Sequence, residues 1–380
     1  MELEAIYRQI EDADRAINEL FVRRMELCAD LVREKKARGM VLSEVPRERE
    51  GRLRFREQAG PEMEEYAGVL YSTMVDVCQS YQTAVVGQES ELCRSIRQAL
   101  ENTEQLFPEK ATIACQGVEG AYSQIAVEKL FRQPSITYVK QFEAVFDAID
   151  KGLCRYGVLP LENSTAGSVN KVYDLMMKYN FTIVRSVRVK VSHCLLAKPG
   201  VKMEEIREIF SHEQAINQCA DFLKQHPDIR VTPCANTAMA AKMVAESDRQ
   251  DIAALSSHNC AHLYGLQTLA NSVQDKGNNY TRFICISKKP EIFPGANHTS
   301  IMLTTPHSPG ALYRIIARIS SLGINLTKLE SRPLPDQDFE FMFYFDLDMS
   351  VYSPALMHLM ADLESLCETF RYLGSYSEII

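Results

Sequence analysis

Apolar residues recur every three or four positions through residues 1–100. One stripe consists of Ile6, Ile10, Ala13, Ile17, Leu20, Leu27 and Leu31. This spacing predicts a long amphipathic helix that ends at Gly39. A shorter helix is predicted from Pro46, and a second long one begins near Met63, after the break at Gly60 and Pro61. These helices cannot cover their apolar stripes alone, so we expect a helical dimer.

The pattern changes after residue 110. Short apolar runs alternate with amphipathic windows, and the runs are residues 111–115, 136–139, 156–159, 208–210, 229–231 and 251–255. This alternation predicts a βαβ arrangement with a mostly parallel, doubly wound sheet.

A third pattern occupies the C-terminal part of the chain. The order is strand, helix, strand, strand, helix, strand, over residues 299–305, 310–322, 325–332, 340–348, 353–367 and 370–376. This order predicts a ferredoxin-like α+β domain. The polar stretch 101–110 and the Pro- and Gly-bearing stretch 289–297 are the predicted linkers. The fold class is therefore multidomain: an all-α domain (1–92), an α/β domain (111–288) and an α+β domain (299–376).

Composition narrows the functional classes. The net charge of −8 and the isoelectric point near 5.6 argue against a nucleic-acid partner. No stretch approaches the ~20 apolar residues that span a bilayer, and the first residues do not resemble a secretory signal. We therefore expect no membrane partner and a cytoplasmic location.

The cysteine and histidine residues do not form a metal-binding pattern. The chain has eleven cysteines without a CxxC spacing, so we expect reduced, mostly buried thiols. His258 and His262 can share a helix face, but no third type of ligand lies nearby. We expect no bound metal.

Two cations interrupt the stripe of the first helix. Arg24 and Lys35 follow Leu20 and Leu31 and lie eleven residues apart, close to three helical turns. Buried cations need an anionic partner or must extend to solvent. The alternative is a pair of ordinary surface cations beside a wrongly assigned stripe.

With Arg47, Glu48 and Gln82 on the other two predicted helices, this set resembles the all-helical chorismate mutase family. Members are intertwined dimers that rearrange a dicarboxylate without covalent catalysis, by holding a compact conformer and stabilising charge on the ether oxygen. The resemblance implies that Arg24 and Arg47 bind the carboxylates of chorismate. It further implies that Lys35 and Gln82 reach the ether oxygen and that Glu48 receives the hydroxyl.

The helical segment departs from the family at a few positions. Tyr7 stands where an Arg is expected to enter the partner's site, with Arg8 beside it. A one-residue slip rotates a helical side chain by ~100°. Cys78 replaces the usual Ser, and Glu44 replaces a common Asp.

Polar clusters follow the predicted strands of the α/β segment, where ligands of doubly wound sheets bind. They are residues 116–123, 161–169, 211–214, 236–238 and 279–283. None is a GxGxxG or GKS motif, so we expect no nucleotide and no other cofactor. Helix capping explains Ser123 or Asn236 singly. All five clusters together indicate a binding site.

The α/β segment resembles prephenate dehydratase. The matching motifs are GVLPLENSTAGSV at 157–169, YDL at 173–175, SHEQ at 211–214, YGL at 264–266 and NYTRF at 279–283. Glu213 replaces the family's Pro, and Gln124 replaces a frequent His. The resemblance implies two α/β lobes around a cleft, as in periplasmic binding proteins, and marks Thr281 as required for activity.

Prephenate loses its ring hydroxyl and its ring carboxylate together. The neutral Thr281 hydroxyl is the expected proton donor, directly or through water. Arg282 is a candidate to hold a substrate carboxylate, although on a strand it can equally point away. Glu162 is expected to orient its loop, with a role as acid the alternative, and His212 is either an acid or scaffold. The expected prephenate contacts are Ser123, Glu162, Asn163, Ser164, Thr165, Thr281, Arg282 and Phe283.

The C-terminal segment resembles an ACT domain. The resemblance rests on Gly310-Ala311-Leu312 and on Glu330-Ser331-Arg332-Pro333, and simple turn chemistry is the alternative explanation. It implies that phenylalanine binds between two such domains and closes the dehydratase cleft.

Together the segments predict a bifunctional enzyme that converts chorismate to prephenate and prephenate to phenylpyruvate under feedback inhibition by phenylalanine. We expect a homodimer or a higher oligomer. One alternative is a dehydratase whose helical segment only dimerises, because Tyr7 replaces the expected Arg. The other is a non-catalytic amino-acid sensor, against which the intact TRF motif argues.

Overall fold

The computed structural model describes residues 3–40, 45–86, 90–308, 310–334 and 340–380. The chain divides into two compact units. The helical unit comprises Met1–Arg94, Thr305–Leu322 and Pro354–Cys367. The sheet unit comprises Ser95–Thr304, Gly323–Ser353 and Glu368–Ile380.

The helical unit begins with the three helices that the sequence predicts. Its helices are α1 (Leu3–Ala37), α2 (Val45–Ala59), α3 (Glu64–Val86), α12 (Ala311–Ser321) and α13 (Pro354–Leu366). Gly39 adopts a left-handed φ of 65° and ends α1, as predicted. An additional helix, α4 (Glu91–Asn102), was not predicted separately and continues into the sheet unit.

The predicted apolar stripe of α1 is not covered in the single chain. Its members are exposed, with Leu20 67% and Leu27 61% accessible, whereas Ala29, Val32 and Lys35 are buried. The helix has 35 residues and α3, which packs against it, has 23. At ~1.5 Å per residue, α3 is too short to cover roughly the N-terminal third of α1.

The sheet unit contains two α/β lobes. The first lobe consists of β1 (Lys110–Gln116), α5 (Tyr122–Leu130), β2 (Gln133–Val139), α6 (Phe142–Asp150), β3 (Tyr156–Asn163), β4 (Gly167–Ser168), α7 (Asn170–Lys178), β5 (Thr182–Lys190) and β11 (Tyr280–Ser287). The second consists of β6 (Cys194–Ala197), β7 (Glu208–Ser211), α8 (Glu213–Gln218), α9 (Ala220–Lys224), β8 (Arg230–Pro233), α10 (Thr237–Glu246), β9 (Ile252–Ser256), α11 (His258–Tyr264) and β10 (Gln267–Ala270). The chain crosses between the lobes after β5 and again before β11, so the predicted two-lobed arrangement is confirmed.

The prediction of a mostly parallel sheet holds only at the centre of each lobe. Strands β2, β1 and β3 pair in parallel, as do β8, β7 and β9. In contrast, β11 runs antiparallel to β3 and β5, and β6 runs antiparallel to β9 and β10. The antiparallel strands adjoin the two crossings, where the chain leaves one lobe and returns, and the βαβ pattern does not include them.

The C-terminal strands extend the sheet of the first lobe. They are β12 (His298–Thr304), β13 (Asn325–Pro333), β14 (Phe341–Asp348) and β15 (Thr369–Ile379). Within the described residues the order is β13-β14-β12-β15-β5-β11-β3-β1-β2, with β4 beside β3. Gly374 allows β15 to approach β5, because a Cβ there would overlap the Ile183 carbonyl oxygen.

Candidate active site in the interlobe cleft

A cavity of about 540 Å³ lies between the two lobes, and we call it the interlobe cleft. All five polar clusters contribute to its wall. The contributing residues include Gln116, Ser123, Asn163, Ala166, His212, Gln214, Asn236, Thr237, Thr281 and Phe283. The structure thus brings together motifs that are up to 167 residues apart in the sequence. Convergence follows from the topology, because each cluster is at a strand end that faces the other lobe.

Thr281 and Asn163 are partners across two antiparallel strands. The β11–β3 register places Thr281 opposite Asn163, and the Asn163 Nδ2 donates to Thr281 Oγ1 over 2.9 Å. A hydroxyl that accepts from an amide keeps its own proton for another acceptor. The Thr281 hydroxyl therefore has its donor capacity available at the wall of the cleft.

Asn163 also orders the loop that follows β3. Its Oδ1 accepts from the backbone N–H of Thr165 over 3.0 Å and of Ala166 over 2.9 Å, and from Thr165 Oγ1 over 2.7 Å. The side chain is buried, so these bonds replace bonds to water. Asn163 thus fixes the loop and the Thr281 hydroxyl at once.

A polar network behind this pair contains two residues that the sequence motifs missed. Asn279 accepts from Asn163 Nδ2 over 2.8 Å and donates to Gln218 Oε1 over 3.0 Å. The Gln218 amide donates to Thr165 Oγ1 over 3.0 Å, and His193 Nε2 lies 3.0 Å from Gln218 Oε1. Gln218 and His193 lie outside the motif clusters, and only the fold brings them to the site.

The network defines the protonation state of His193. Because Gln218 Oε1 is an acceptor, His193 Nε2 carries a proton, and Nδ1 is buried without a hydrogen-bond partner among the described residues. Burial lowers the pKa of the His193 imidazole, and the bond to Gln218 opposes this effect only partly. The ring is therefore neutral near pH 7.

Helix N-termini supply the positive potential of the cleft. Ser123 lies in the first turn of α5, and Asn236 caps α10 by accepting from Met239 N over 2.8 Å. The first-turn N–H groups of both helices have no partner within their own helix. The described residues that line the cleft include no lysine or arginine. An anionic ligand would therefore meet hydroxyl, amide and backbone N–H donors.

Arg282 and Glu162 do not line the cleft, which corrects their expected contacts with prephenate. They are opposite each other in the β11–β3 ladder and project from the face opposite Thr281 and Asn163. Arg282 pairs there with Asp346, with Glu378 at 3.0 Å and with Glu162 at 3.3 Å. Successive strand residues face opposite sides, so Thr281 and Arg282 cannot both reach one cavity.

Other motif residues have supporting contacts. Ser164 Oγ donates to the Asn278 carbonyl over 3.2 Å and accepts from Tyr280 N over 2.9 Å, so Ser164 braces the chain before β11. His212 caps α8 by accepting from Gln214 N over 3.2 Å while lining the cleft.

The two departures from the family pattern also have defined places. Glu213 is the first residue of α8, where a Pro fits equally well. Gln124 accepts from Gly120 N over 2.7 Å and from the Tyr138 hydroxyl over 2.8 Å, so it holds the loop before α5.

In the helical unit, Arg24 contacts α3 rather than lying on the exposed stripe, and Lys35, about three helical turns further along α1, is on the same face of that helix as Arg24. Arg24 donates to the Met74 carbonyl over 3.3 Å, and Gln82 Nε2 donates to the Cys28 carbonyl over 3.2 Å. Lys35 is 6% exposed. The structure therefore brings these two cations and Gln82 to the same α1–α3 contact.

The remaining mutase candidates are more dispersed. Glu48 accepts from Gln79 Nε2 over 2.8 Å, and Arg47 is exposed. Tyr7 and Arg8 are exposed and lie roughly 25 Å along α1 from Arg24. Glu44 lies outside the described residues.

Cys28 and Cys78 form a disulfide between α1 and α3, which contradicts the expectation of reduced thiols throughout. Their Cα atoms are 6.5 Å apart, within the range that a disulfide spans. The prediction failed because the two residues are 50 positions apart, and only the packing of α1 on α3 makes them neighbours.

The candidate effector residues fall in both units. Gly310, with a φ of 82°, precedes Ala311 and Leu312 at the start of α12. On β13, Glu330 accepts from Ser168 Oγ over 2.6 Å. Arg332 pairs with Asp174 at 3.1 Å, whereas Ser331 and Pro333 are exposed on the other face of the strand.

The residues that the structure describes contain no cluster of three or more His, Cys, Asp or Glu side chains that could hold a metal ion. None of their helices is long and apolar enough to cross a membrane.

These features define a two-lobed α/β domain whose cleft has both polar and apolar walls and no lysine or arginine among its described lining residues. Residues 113–291 match the family described as prephenate dehydratase. The chain is 37% identical over 279 residues to arogenate dehydratase/prephenate dehydratase 2 of Arabidopsis thaliana, a chloroplastic protein, and the match covers 70% of this chain and 73% of the relative. The chain belongs to the prephenate dehydratase family.

Two solved structures are similar as well. A prephenate dehydratase from Arthrobacter aurescens in complex with L-Phe is 28% identical with a TM-score of 0.65, and the match covers 70% of this chain and 90% of that one. GqqA, described as a novel type of quorum quenching acylase, is 30% identical with a TM-score of 0.64, over 70% of this chain and 97% of that one.

Proposed function

We propose that the interlobe cleft converts prephenate to phenylpyruvate, with loss of water and CO₂, in phenylalanine biosynthesis. The observation that carries this proposal is the Thr281 hydroxyl, which Asn163 holds at the cleft wall in a chain of the prephenate dehydratase family. Relatives are named for arogenate as well as prephenate, so both are candidate substrates.

The reaction needs a proton for the departing hydroxyl and an ionised ring carboxylate that leaves as CO₂. The Thr281 hydroxyl donates toward the leaving oxygen, directly or through a water molecule, while Asn163 fixes its oxygen. The ring C–O and C–C bonds break, and the electron pair of the C–C bond completes the aromatic ring. Proton donation and aromatisation together drive the loss of both groups.

The anion-binding groups also suit this chemistry. Neutral donors at the starts of α5 and α10 can hold the side-chain carboxylate. The described lining residues include no lysine or arginine. An ion pair with the ring carboxylate would stabilise a charge that the reaction must remove, so the absence of such a pair favours decarboxylation. The cleft is therefore suited to dehydration coupled to decarboxylation.

We further propose that the helical unit rearranges chorismate. Arg24 and Lys35 face α3 next to Gln82, and cationic and amide donors fit a dicarboxylate whose ether oxygen gains charge. Tyr7 and Arg8 lie too far along α1 to join this site in the same chain. The exposed stripe of α1 and this distance support a dimer in which each chain completes its partner's site.

We also propose that phenylalanine is the feedback inhibitor and that an ACT domain binds it. The antiparallel order β13-β14-β12-β15 supports a ferredoxin-like domain. The similar Arthrobacter dehydratase was solved in complex with L-Phe. The expected ligand residues are those at 310–312 and 330–333.

The cytoplasmic location stays a prediction.

One assay separates these proposals from their alternatives. Purified protein is mixed with chorismate, prephenate or arogenate, with and without phenylalanine, and the product is followed by its absorbance. We expect turnover of chorismate and of prephenate or arogenate, with inhibition by phenylalanine. Turnover of prephenate or arogenate without chorismate would show that the helical segment only dimerises. No turnover of any of the three would favour the amino-acid sensor.

A further inference from the structure

Charged side chains on one face of β13 contact the first lobe. Lys328, Glu330 and Arg332 alternate along the strand and so project from the same side. Glu330 accepts from Ser168 on β4, which also lines the cleft, and Arg332 pairs with Asp174 on α7. We call these three residues the β13 charged face.

Lys328 contacts the strand that carries Asn163. Its Nζ donates to Glu162 Oε2 over 2.5 Å and to Ser168 Oγ over 3.1 Å. The other carboxylate oxygen of Glu162 lies 3.3 Å from Arg282 Nη1. One carboxylate on β3 is therefore shared between a cation on β13 and a cation on β11.

The face of the β3–β11 ladder that points away from the cleft and the face that lines it are formed by consecutive residues of the same two strands. Glu162 precedes Asn163 on β3, and Arg282 follows Thr281 on β11. Glu162 is opposite Arg282, and Asn163 is opposite Thr281. Glu162 is therefore adjacent, along one strand backbone, to the residue that forms the hydrogen-bonded pair in the cleft.

The two partners of Glu162 differ in how firmly they are held. Arg282 is 10% exposed and is fixed by Asp346 and by the Tyr376 hydroxyl at 2.7 Å. Burial by itself lowers the pKa of the Arg282 guanidinium, but Tyr376 and Asp346 outweigh it, so the group stays charged. Glu162 has a 30% exposed side chain and makes its shorter contact with Lys328. Lys328 is thus the cation that sets the position of Glu162.

We propose that Lys328 is a positioning residue for the dehydratase reaction. Acting through Glu162, it holds β3 in register with β11 and so keeps the Asn163 amide aligned on the Thr281 hydroxyl. Its second hydrogen bond, to Ser168 on β4, holds the C-terminal end of the loop at residues 164–166 that Asn163 orders. This inference rests on the dehydratase function proposed above and adds a residue from the C-terminal sheet that never touches the substrate.

The test compares Lys328→Met with Lys178→Met, which breaks an exposed pair with Glu143 at 2.6 Å in the same unit. We expect Lys328→Met to lower kcat by about tenfold with KM within about twofold, because misplaced catalytic groups slow the chemical step. Lys328→Arg should restore most of the rate. The double variant Glu162→Gln/Lys328→Met should be no slower than the slower single variant, because both changes break one contact.

Hydrogen exchange supplies a readout that does not need turnover. The amide protons of Thr165 and Ala166, which Asn163 binds, should exchange faster in Lys328→Met but not in Lys178→Met. Equal exchange in the two variants, additive losses of kcat, or a rise of KM alone would overturn the proposal. If the wild-type chain turned over neither prephenate nor arogenate, the proposed dehydratase function would be wrong. The hydrogen exchange of Thr165 and Ala166 would then decide by itself whether Lys328 positions the loop.

Discussion

The amide group of Asn163 donates to the hydroxyl of Thr281 over 2.9 Å and thereby joins the two strands that meet at the cleft. The same side chain binds the loop at Thr165 and Ala166 through its oxygen. A single buried amide therefore determines the position of the proposed proton donor and of the loop beside it.

Asn163→Ala should affect both activity and stability. We expect the free energy of unfolding to fall by about 2 kcal/mol, since several buried polar groups lose their partner. The rate with prephenate should fall by at least an order of magnitude, because the Thr281 oxygen is no longer held. Urea denaturation and initial rates measure the two effects. Wild-type kcat in a destabilised Asn163→Ala variant would show that the amide is only structural.

Arg282→Met should act on the fold more than on substrate affinity. The guanidinium is buried among carboxylates, and removal of one partner of such a cluster costs about 3 to 5 kcal/mol of stability. Thermal and urea denaturation should therefore show a large loss. A variant with wild-type stability and a raised KM for prephenate would instead restore Arg282 as a substrate ligand.

His193 makes the stability of the chain depend on pH. Burial lowers the pKa of this imidazole in the folded state below its value of 6.5 in the unfolded chain. The unfolded chain then binds more protons, so the free energy of unfolding falls as the pH drops below about 6.5 and approaches the folded pKa. In His193→Gln this part of the loss should disappear, whereas the exposed His358→Gln should behave as wild type. Denaturation curves at pH 7 and pH 5 provide the comparison, and parallel losses in the wild type and His193→Gln would contradict it.

The Cys28–Cys78 disulfide predicts a count of reactive thiols. Protein purified without reductant and alkylated in denaturant should carry nine labels on its eleven cysteines, and eleven labels after reduction. Cys28→Ser should carry ten in both cases. Reduction should also lower the stability of the helical unit by about 4 kcal/mol, the value for a closed loop of this length. Eleven labels without reductant would rule out the bond.

The cleft could be located from the sequence because polar clusters next to predicted strands can be recognised from local sequence alone. The cluster at residues 161–169 ends β3 and the cluster at 279–283 begins the adjacent antiparallel strand β11, so the structure places Asn163 and Thr281 side by side. His193 and Gln218 were missed because neither lies in a turn motif. The crossing from β5 to β6 and the fold of the second lobe bring them to the site.

Two predictions located the helix or strand correctly but not the face on which a residue lies. Thr281 and Arg282 are consecutive in one motif, yet the strand sends them to opposite faces. On α1 the apolar stripe and the face against α3 are adjacent, and the periodicity alone did not decide which one the chain buries. Packing between distant segments decides both cases.

The central claim is that the Thr281 hydroxyl in the interlobe cleft makes phenylpyruvate from prephenate. The most direct measurement compares phenylpyruvate formation by the wild type, Thr281→Ser and Thr281→Ala, with urea denaturation of each variant as the control for folding. We predict that Thr281→Ser retains activity and that Thr281→Ala loses about 10³-fold in rate, the range of a general acid, with a free energy of unfolding close to that of the wild type. Wild-type phenylpyruvate formation by Thr281→Ala would contradict the claim.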